Sequence, residues 1–400
     1  MPISTFIKET MTSKGAGVIR KMFEEGIKLK SQYGNDKVFD FSIGNPDLEP
    51  PEDIKRSLEK QVAACREKNF HGYMPNAGFQ FCRDAMAEKT SQEQGVKITG
   101  DCVVMAVGAA GALNALFKAI LNDGDNVVVP APYFTEYKHY VRNHGGNLVE
   151  VSTKTDFSLD VEAIKAALNE KTAAVLINSP NNPTGRVYTK KEIEALAKVL
   201  EEHAAKCGRK PYLICDEPYR AIVYDGKEVP GAFPIYDSSI VVTSFAKNLS
   251  LPGERIGYIC VNPACPDKDE VVAACIFTTR VLGYVNAPAI FQRVVAETWN
   301  AKVDYSLYEK RRNMVMEVLD AAGIEHIVPE GAFYMWCKAP ECFNGDDMAF
   351  CDYLKKYLIL TAPGSGFGGK GWIRMAYCVS ADSIRNSKEA FVKAMADLKK

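Results

Sequence analysis

Short apolar runs alternate with amphipathic helical patterns through the middle of the chain, and this alternation restricts the possible folds more than any other feature. The runs are rich in β-branched residues and are typical of buried strands; they lie at 102–107, 126–130, 173–178, 211–215, 240–244 and 257–261. Helical patterns lie between them, as at 111–121, 160–168 and 189–204. Alternation of this kind predicts an α/β fold with a mostly parallel central sheet flanked by helices.

The pattern changes after about residue 285. Long helical patterns are followed there by short strand-like runs at 332–338 and 372–378. We therefore predict a large domain over residues 46–284 and a smaller α+β domain over residues 285–400. Residues 1–45 are too few to fold alone, so we expect them to pack on the smaller domain. A length of 400 residues also favours two domains.

Composition argues against two classes of partner. Lys and Arg number 49 against 50 Asp and Glu, so no excess of positive charge is present to bind a nucleic-acid backbone. Charges interrupt the N-terminal segment, and no stretch approaches the roughly 18 apolar residues that a membrane span needs. We expect a cytoplasmic protein that binds neither nucleic acid nor membrane.

The cysteines and histidines do not form a pattern typical of metal sites. The chain has 12 cysteines but no Cys-x-x-Cys pair. Thiols in apolar runs, such as Cys215 and Cys275, are expected to be small buried hydrophobes in a reducing compartment. His139 and His144 are five residues apart and would not share a helix face. We therefore expect no metal site.

Polar and aromatic residues suited to ligand binding follow successive predicted strands. The carboxyl ends of parallel strands meet at one edge of a sheet, where ligands bind in α/β proteins. A glycine-containing turn at 108–111 leads into a helix, and such a helix N-terminus can bind a phosphate. The other residues that we expect at this edge are Tyr133 or Phe134, then Asn182, then Asp216 with Tyr219, and finally Lys247 with Arg255 nearby.

This combination of residue types fits pyridoxal phosphate. A lysine can form a Schiff base with the cofactor aldehyde, and a carboxylate can keep the pyridine nitrogen protonated so that the ring accepts electrons. A phenol and an amide can bind the 3-hydroxyl, and an aromatic ring can cover one face. Taken singly, Asp216 could be a helix cap, Lys247 a surface lysine and Phe134 a core residue. Their coincidence at one predicted edge favours the cofactor.

Several segments resemble the class I and II aminotransferases of pyridoxal phosphate fold type I, which include the aspartate aminotransferase-like enzymes. These segments run from GNPD at 44–47 to Arg374, so the resemblance covers nearly the whole chain; they include SPNNPTG at 179–185, DEPY at 216–219, SFAKNLSLPGERIGY at 244–258 and WIRMAY at 372–377. The resemblance implies an aminotransferase that moves an amino group between an L-α-amino acid and a 2-oxo acid by a ping-pong mechanism. It also implies 2-oxoglutarate and glutamate as one substrate couple.

The resemblance implies a role for each matching residue. Lys247 would be the Schiff-base lysine and the base that moves the proton from the substrate Cα. Asp216 would pair with the pyridinium, and Tyr219 and Asn182 would bind the 3-oxygen. The remaining cofactor contacts would come from Gly108, Ala109, Ala110, Phe134, Ser244 and Arg255. Tyr73 matches a tyrosine that reaches the phosphate in the neighbouring subunit, which implies a homodimer with shared active sites.

The resemblance also bears on substrate specificity. Arg374 would bind the substrate α-carboxylate through two parallel hydrogen bonds, a geometry that lysine cannot supply, with help from Asn182 and the backbone at Gly44. Many bacterial aspartate aminotransferases have a lysine where this chain has Ala110. Arg280 is a candidate for binding a second carboxylate, although it lies one residue further from its flanking motif than in relatives, and it could equally be a surface arginine. We therefore expect a broad or neutral donor rather than strict aspartate specificity.

Two alternative functions use the same fold. A C–S β-lyase or another eliminase needs the same lysine, aspartate and arginine, whereas a cofactor-binding regulatory protein would not need them intact.

The segment 364–369 satisfies the dinucleotide-binding pattern G-x-G-x-x-G. We do not expect it to bind a dinucleotide, because a predicted strand follows it where that fingerprint requires a helix.

Overall fold

The computed structural model describes residues 3–12 and 18–399. Its strands are β1 (Phe39–Asp40), β2 (Val103–Ala106), β3 (Asn126–Ala131), β4 (Asn147–Ser152), β5 (Thr172–Asn178), β6 (Tyr212–Asp216), β7 (Ser239–Ser244), β8 (Gly257–Val261), β9 (His326–Ile327), β10 (Tyr334–Lys338), β11 (Ile359–Leu360), β12 (Ala362–Pro363) and β13 (Trp372–Ala376). Its helices are α1 (Thr5–Thr12), α2 (Val18–Tyr33), α3 (Glu52–Ala64), α4 (Gln80–Gln94), α5 (Gly108–Ile120), α6 (Tyr137–Arg142), α7 (Val161–Ala167), α8 (Lys190–Cys207), α9 (Phe245–Asn248), α10 (Lys268–Val281), α11 (Ala289–Thr298), α12 (Ser306–Ala322), α13 (Asp347–Lys355) and α14 (Ala381–Asp397).

The larger sheet has seven strands in the order β2-β8-β7-β6-β5-β3-β4. Strand β8 is antiparallel to both of its neighbours, and the other pairs are parallel. The predicted α/β fold with a mostly parallel central sheet is therefore confirmed. Strand β4 was missed because it lies at the edge, where Asn147, Glu150 and Ser152 are exposed, so its sequence contains no continuous apolar run.

Helices cover both faces of this sheet. Along β6, Leu213 and Cys215 point into one hydrophobic core, while Ile214 points into the other. This follows from the two-residue period of a strand. The first core includes residues of α4, α8 and α11, and the second includes residues of α5 and α10. Since both faces are buried, the strands are apolar on both sides, which is why they were visible in the sequence.

The smaller sheet is antiparallel, in the order β12-β13-β10-β9. Leu319 of α12 and Phe391 of α14 belong to its core, as does Phe41, which follows β1. Strand β1 pairs with β11, far along the chain. Val294 of α11 instead belongs to a core of the larger sheet. The division of the chain into domains at residues 45 and 285 stays a prediction.

The glycine-rich segment 364–371 leads into β13, so no helix follows it, as expected. The buried Asp347 carboxylate fixes this segment by accepting hydrogen bonds from the backbone N–H groups of Ser365 (2.7 Å) and Gly371 (3.1 Å). Gly364 lies against the ring of Trp336, where a Cβ would come within 2.7 Å. Glycine at position 364 therefore lets this segment pack closely against the Trp336 ring of the smaller sheet.

Within the part of the chain that the structure describes, no helix combines the length and the apolar character needed to cross a membrane.

Candidate active site

A cavity of about 250 Å³ opens at the carboxyl-terminal edge of the larger sheet. It is bounded by the loops that follow β3, β5, β6 and β7 and by the start of α5. The structure thus brings together most of the predicted site residues, namely Ala109, Ala110, Phe134, Asn182, Asp216, Tyr219, Ser244, Lys247 and Arg255.

Asp216 is the last residue of β6, and its side chain is buried beside the cavity. The Tyr137 hydroxyl donates a hydrogen bond to Oδ2. Oδ1 has no hydrogen-bond partner among the described residues, although it is buried. Burial raises the pKa of Asp216 to about 7, and the bond from Tyr137 partly opposes this effect. A cation or a protonated ring nitrogen at Oδ1 would therefore be strongly favoured.

Lys247 lies in the short helix α9, which begins directly after β7. Its Nζ donates to the backbone carbonyl of Gly44, at 2.7 Å. Burial lowers the pKa of Lys247 to about 8, and the positive charges of Arg374 and Arg255 act in the same direction. A substantial fraction of the amine is consequently neutral near physiological pH, which is the form that acts as a nucleophile or a base.

The part of the cavity at the start of α5 suits an anion. The first turn of α5 supplies backbone N–H groups at Ala109 and Ala110, and Ser244 and Arg255 line the same wall. Gly108 has a φ of 74°, and a Cβ there would lie 2.8 Å from the guanidinium of Arg255. Glycine at this position therefore lets the arginine approach the helix N-terminus.

Arg374 projects from β13 of the smaller sheet and is 3% exposed. Its Nη1 donates to Asn182 Oδ1 at 3.0 Å, and its Nη2 donates to the Ser42 carbonyl at 2.8 Å. The guanidinium carbon lies 4.5 Å from the ring centre of Tyr334 and 4.7 Å from that of Phe367. Nε has no partner in the described part of the chain. The orientation of the Arg374 guanidinium is thus fixed, and its Nε can still donate a hydrogen bond to a carboxylate ligand.

Three residues at the site were missed in the sequence: Tyr137, Asn178 and Tyr334. Tyr334 shares a hydrogen bond of 2.8 Å with Tyr219, hydroxyl to hydroxyl. Asn178 ends a predicted strand and Tyr137 lies three residues after Phe134, so both positions carried a usable signal. Nothing local distinguishes Tyr334 from a core residue of β10.

Tyr73 and Arg280 do not line the cavity of their own chain. The side chain of Tyr73 is 95% exposed. Arg280 is exposed on α10, where its guanidinium lies 5.2 Å from the ring centre of Phe277 on the same helix. Tyr73 was predicted to act across a dimer, and Arg280 was a candidate for binding a second carboxylate, so their assigned roles stay predictions.

The loop that contains Tyr73 is attached to the segment that follows Arg280. Asn76 Nδ2 donates to the Val285 carbonyl at 2.9 Å, and Asn286 Nδ2 donates to the Pro75 carbonyl at 3.0 Å. These reciprocal bonds hold the two segments together. The loop that contains Tyr73 and the segment that follows Arg280 are therefore adjacent.

Comparisons with known proteins identify the family. Residues 36–391 match the family model of aminotransferase class I and II. The aspartate/prephenate aminotransferase of Thermus thermophilus is 32% identical over 362 residues, which cover 88% of this chain and 90% of that protein. An aminotransferase crystal structure from Eubacterium rectale is 38% identical and superposes over the full length of both chains with a TM-score of 0.94.

The aspartate aminotransferase of Thermus thermophilus, solved with maleate, has a TM-score of 0.86 and 29% identity, covering 98% of this chain and 100% of that one. The family match spans most of the chain, and the alignment with a relative above 30% identity covers most of both proteins. The protein is therefore an aminotransferase and belongs to the class I and II family.

Proposed function

We propose that this aminotransferase uses pyridoxal phosphate to move an amino group between an L-α-amino acid and a 2-oxo acid, with 2-oxoglutarate and glutamate as one couple. The strongest support for this proposal is that one cavity contains both a carboxylate oxygen that no described residue binds and a lysine amine with a lowered pKa. Asp216 presents a buried oxygen without a described partner, and Lys247 presents an amine whose pKa is lowered to about 8.

The residues present fit each part of this cofactor. Asp216 Oδ1 would hold the ring nitrogen, Tyr219 and Asn182 the 3-oxygen, and Phe134 one face of the ring. The phosphate would bind the N-terminus of α5 together with Ser244 and Arg255. When bound, pyridoxal phosphate supplies an aldehyde that condenses with amines and a ring that accepts electrons from the substrate Cα.

The chain itself binds the substrate and moves a proton. Arg374 would hold the α-carboxylate, because its guanidinium is already fixed by Asn182 and Ser42. Lys247 Nζ would take the proton from Cα and hold it for return. A base with a pKa near the working pH is efficient in both directions.

The test replaces Lys247 by alanine. We expect Lys247→Ala to abolish glutamate formation from an amino acid and 2-oxoglutarate, while the protein stays folded and still binds pyridoxal phosphate non-covalently. The matched control is Lys190→Ala, on the exposed start of α8. A borohydride-reducible linkage that persisted in Lys247→Ala would contradict the assignment. Pyruvate and ammonia instead of glutamate from the wild-type protein would indicate a lyase.

We also propose a homodimer with shared active sites. The exposure of Tyr73 and the exposed apolar side chains of Phe277 and Val281 support this arrangement. Mixing Tyr73→Phe with Lys247→Ala under conditions of subunit exchange should restore part of the activity, because some hybrids contain one intact site. Demonstrated exchange without recovery would argue against sharing.

The donor is proposed to be neutral or broad in range. A distal carboxylate in a dry pocket needs its own cation, since leaving it unpaired costs several kcal/mol. Among the described residues, Lys247 and Arg255 are the cationic residues that line the cavity, and Arg374 binds Asn182 beside it; all three already have proposed roles. If aspartate is the best donor, and Arg280→Ala lowers kcat/KM for aspartate at least about a hundredfold while sparing alanine, then Arg280 binds the distal carboxylate and the neutral donor is wrong.

The 12 free cysteines, most of them buried, support a cytoplasmic location, because a reducing compartment keeps thiols unpaired.

A further inference from the structure

The carboxylate of Asp216 is held from one side only. The Tyr137 hydroxyl donates to Oδ2, and Asn178 Nδ2 lies 3.5 Å from the same oxygen. Oδ1 has no such contact within residues 3–12 and 18–399. One oxygen is therefore bound by the protein, and the other is left for a ligand of the cavity.

The hydroxyl of Tyr137 has little freedom to move. Its ring is buried in the first turn of α6. The ring lies parallel to that of Tyr133 with centres 6.4 Å apart, and edge-on to Phe134 at 5.5 Å. Tyr133 is itself fixed, because its hydroxyl donates to Glu150 at 2.6 Å. This packing keeps the Tyr137 hydroxyl directed at Asp216.

Asn178 supports Asp216 from the neighbouring strand. The two residues lie opposite each other at the ends of β5 and β6. Asn178 Nδ2 donates to the Asp216 carbonyl at 2.8 Å, and Asn178 Oδ1 accepts from the Asn182 N–H at 2.7 Å. One buried amide thus fixes Asp216 relative to Asn182, which in turn binds Arg374.

We propose that Tyr137, assisted by Asn178, is a positioning residue that favours the ionised form of Asp216 and directs its Oδ1 to the ring nitrogen of bound pyridoxal phosphate. This inference rests on the proposed cofactor. A phenol donor stabilises a carboxylate more than a neutral carboxyl, so its loss would favour the protonated form of Asp216. A protonated Asp216 would no longer stabilise a protonated ring nitrogen.

The test uses Tyr137→Phe, which removes the hydroxyl and keeps the ring. Cofactor-free wild type and variant are titrated with pyridoxal phosphate and with its 1-deaza analogue, in which carbon replaces the ring nitrogen. We expect the variant to bind pyridoxal phosphate about 10- to 100-fold more weakly, the range typical for loss of a hydrogen bond to a charged group. Binding of the analogue should change by less than about threefold, because the analogue has no nitrogen for Asp216 to hold.

The matched control is Tyr236→Phe, which removes another buried hydroxyl, one that donates to the Pro211 carbonyl instead of Asp216. It should leave both affinities unchanged. Equal weakening of both ligands by Tyr137→Phe, or no weakening of either, would overturn the positioning role. If the wild-type protein does not bind pyridoxal phosphate at all, the proposed cofactor fails instead.

A second measurement follows the ring nitrogen directly. With ¹⁵N-labelled pyridoxal phosphate, the nitrogen resonance of the wild type should be that of a protonated ring at pH 7.5, and Tyr137→Phe should shift it towards the unprotonated value. An unchanged resonance would overturn the inference. If Tyr137→Phe does not fold, Asn178→Ser is examined in the same way, and a fall in the affinity ratio of pyridoxal phosphate to analogue is again required.

Discussion

The end of β6 presents two adjacent carboxylates to opposite sides of the larger sheet, and the two sides differ in what surrounds each charge. Asp216 and Glu217 are each 5% exposed, and burial raises the pKa of both. Asp216 faces a cavity of about 250 Å³ and keeps one oxygen without a described partner. Glu217 borders a void of only about 10 Å³, which holds no more than a water molecule.

The Glu217 side is a closed network. Arg220 Nη1 lies 2.9 Å from Glu217 Oε2, and Gln94 Nε2 lies 3.2 Å from the same oxygen. Arg220 also donates to the backbone carbonyls of Glu93 and Val229, at 2.5 and 2.7 Å. Burial and a raised pKa are thus common to both carboxylates. What sets Asp216 apart is the oxygen without a described partner that faces a cavity large enough for a ligand.

The largest expected effect is a difference in kcat between substitutions of Asp216 and of Glu217. Asp216→Asn should lower kcat by about a thousandfold or more, because a neutral amide cannot stabilise a protonated ring nitrogen and each 1.4 kcal/mol of lost transition-state stabilisation is about tenfold. Glu217→Gln should lower kcat by less than about tenfold once folding is confirmed. Steady-state kinetics of glutamate formation measure both. A loss below tenfold for Asp216→Asn would remove the distinction.

The next effect is on stability and concerns the ion pair of Glu217 with Arg220. Arg220→Met leaves Glu217 as an uncompensated buried charge, so the free energy of unfolding should fall by about 3–5 kcal/mol. Adding Glu217→Gln should recover part of this loss. The control is Arg385→Met, which breaks an exposed ion pair with Asp382 and should change stability by less than about 1 kcal/mol. Urea unfolding gives all three values, and equal effects of Arg220→Met and Arg385→Met would contradict the comparison.

The smallest effect concerns pH and the cofactor-free protein. Because the folded-state pKa of Asp216 is raised to about 7, its contribution to stability is greatest below its usual pKa of 3.8 and is lost as pH rises through about 7. At pH 8, Asp216→Asn should therefore raise the Tm of the cofactor-free protein. The corresponding gain in the free energy of unfolding is at most about 4 kcal/mol. The gain should shrink at pH 5.

Glu217→Gln provides the contrast in the same experiment. It should give no gain at pH 8, because it leaves Arg220 without its carboxylate. Thermal unfolding at the two pH values measures the difference. A stabilising Glu217→Gln, or an Asp216→Asn whose effect did not depend on pH, would show that the two sides are alike.

The α/β fold and the half of the site that lies on the larger sheet could be predicted from the order of elements along the chain. Strands buried on both faces are visible as apolar runs, and the carboxyl ends of parallel strands share one edge. The order of elements therefore placed Phe134, Asn182, Asp216 and Lys247 together without any knowledge of packing. The resemblance to known aminotransferases added Arg374, which no local pattern would have placed beside Asn182.

The partner of each side chain could not be predicted and became visible only in the folded protein. Strand periodicity predicts that Asp216 and Glu217 point to opposite sides. It does not show that Arg220 and Gln94 bind the Glu217 carboxylate while Tyr137 leaves one oxygen of Asp216 without a described partner. In the same way, Tyr334 meets Tyr219 because two sheets pack together. Such contacts join segments far apart in the chain, and their geometry depends on the packing of whole layers, which no short stretch of sequence specifies.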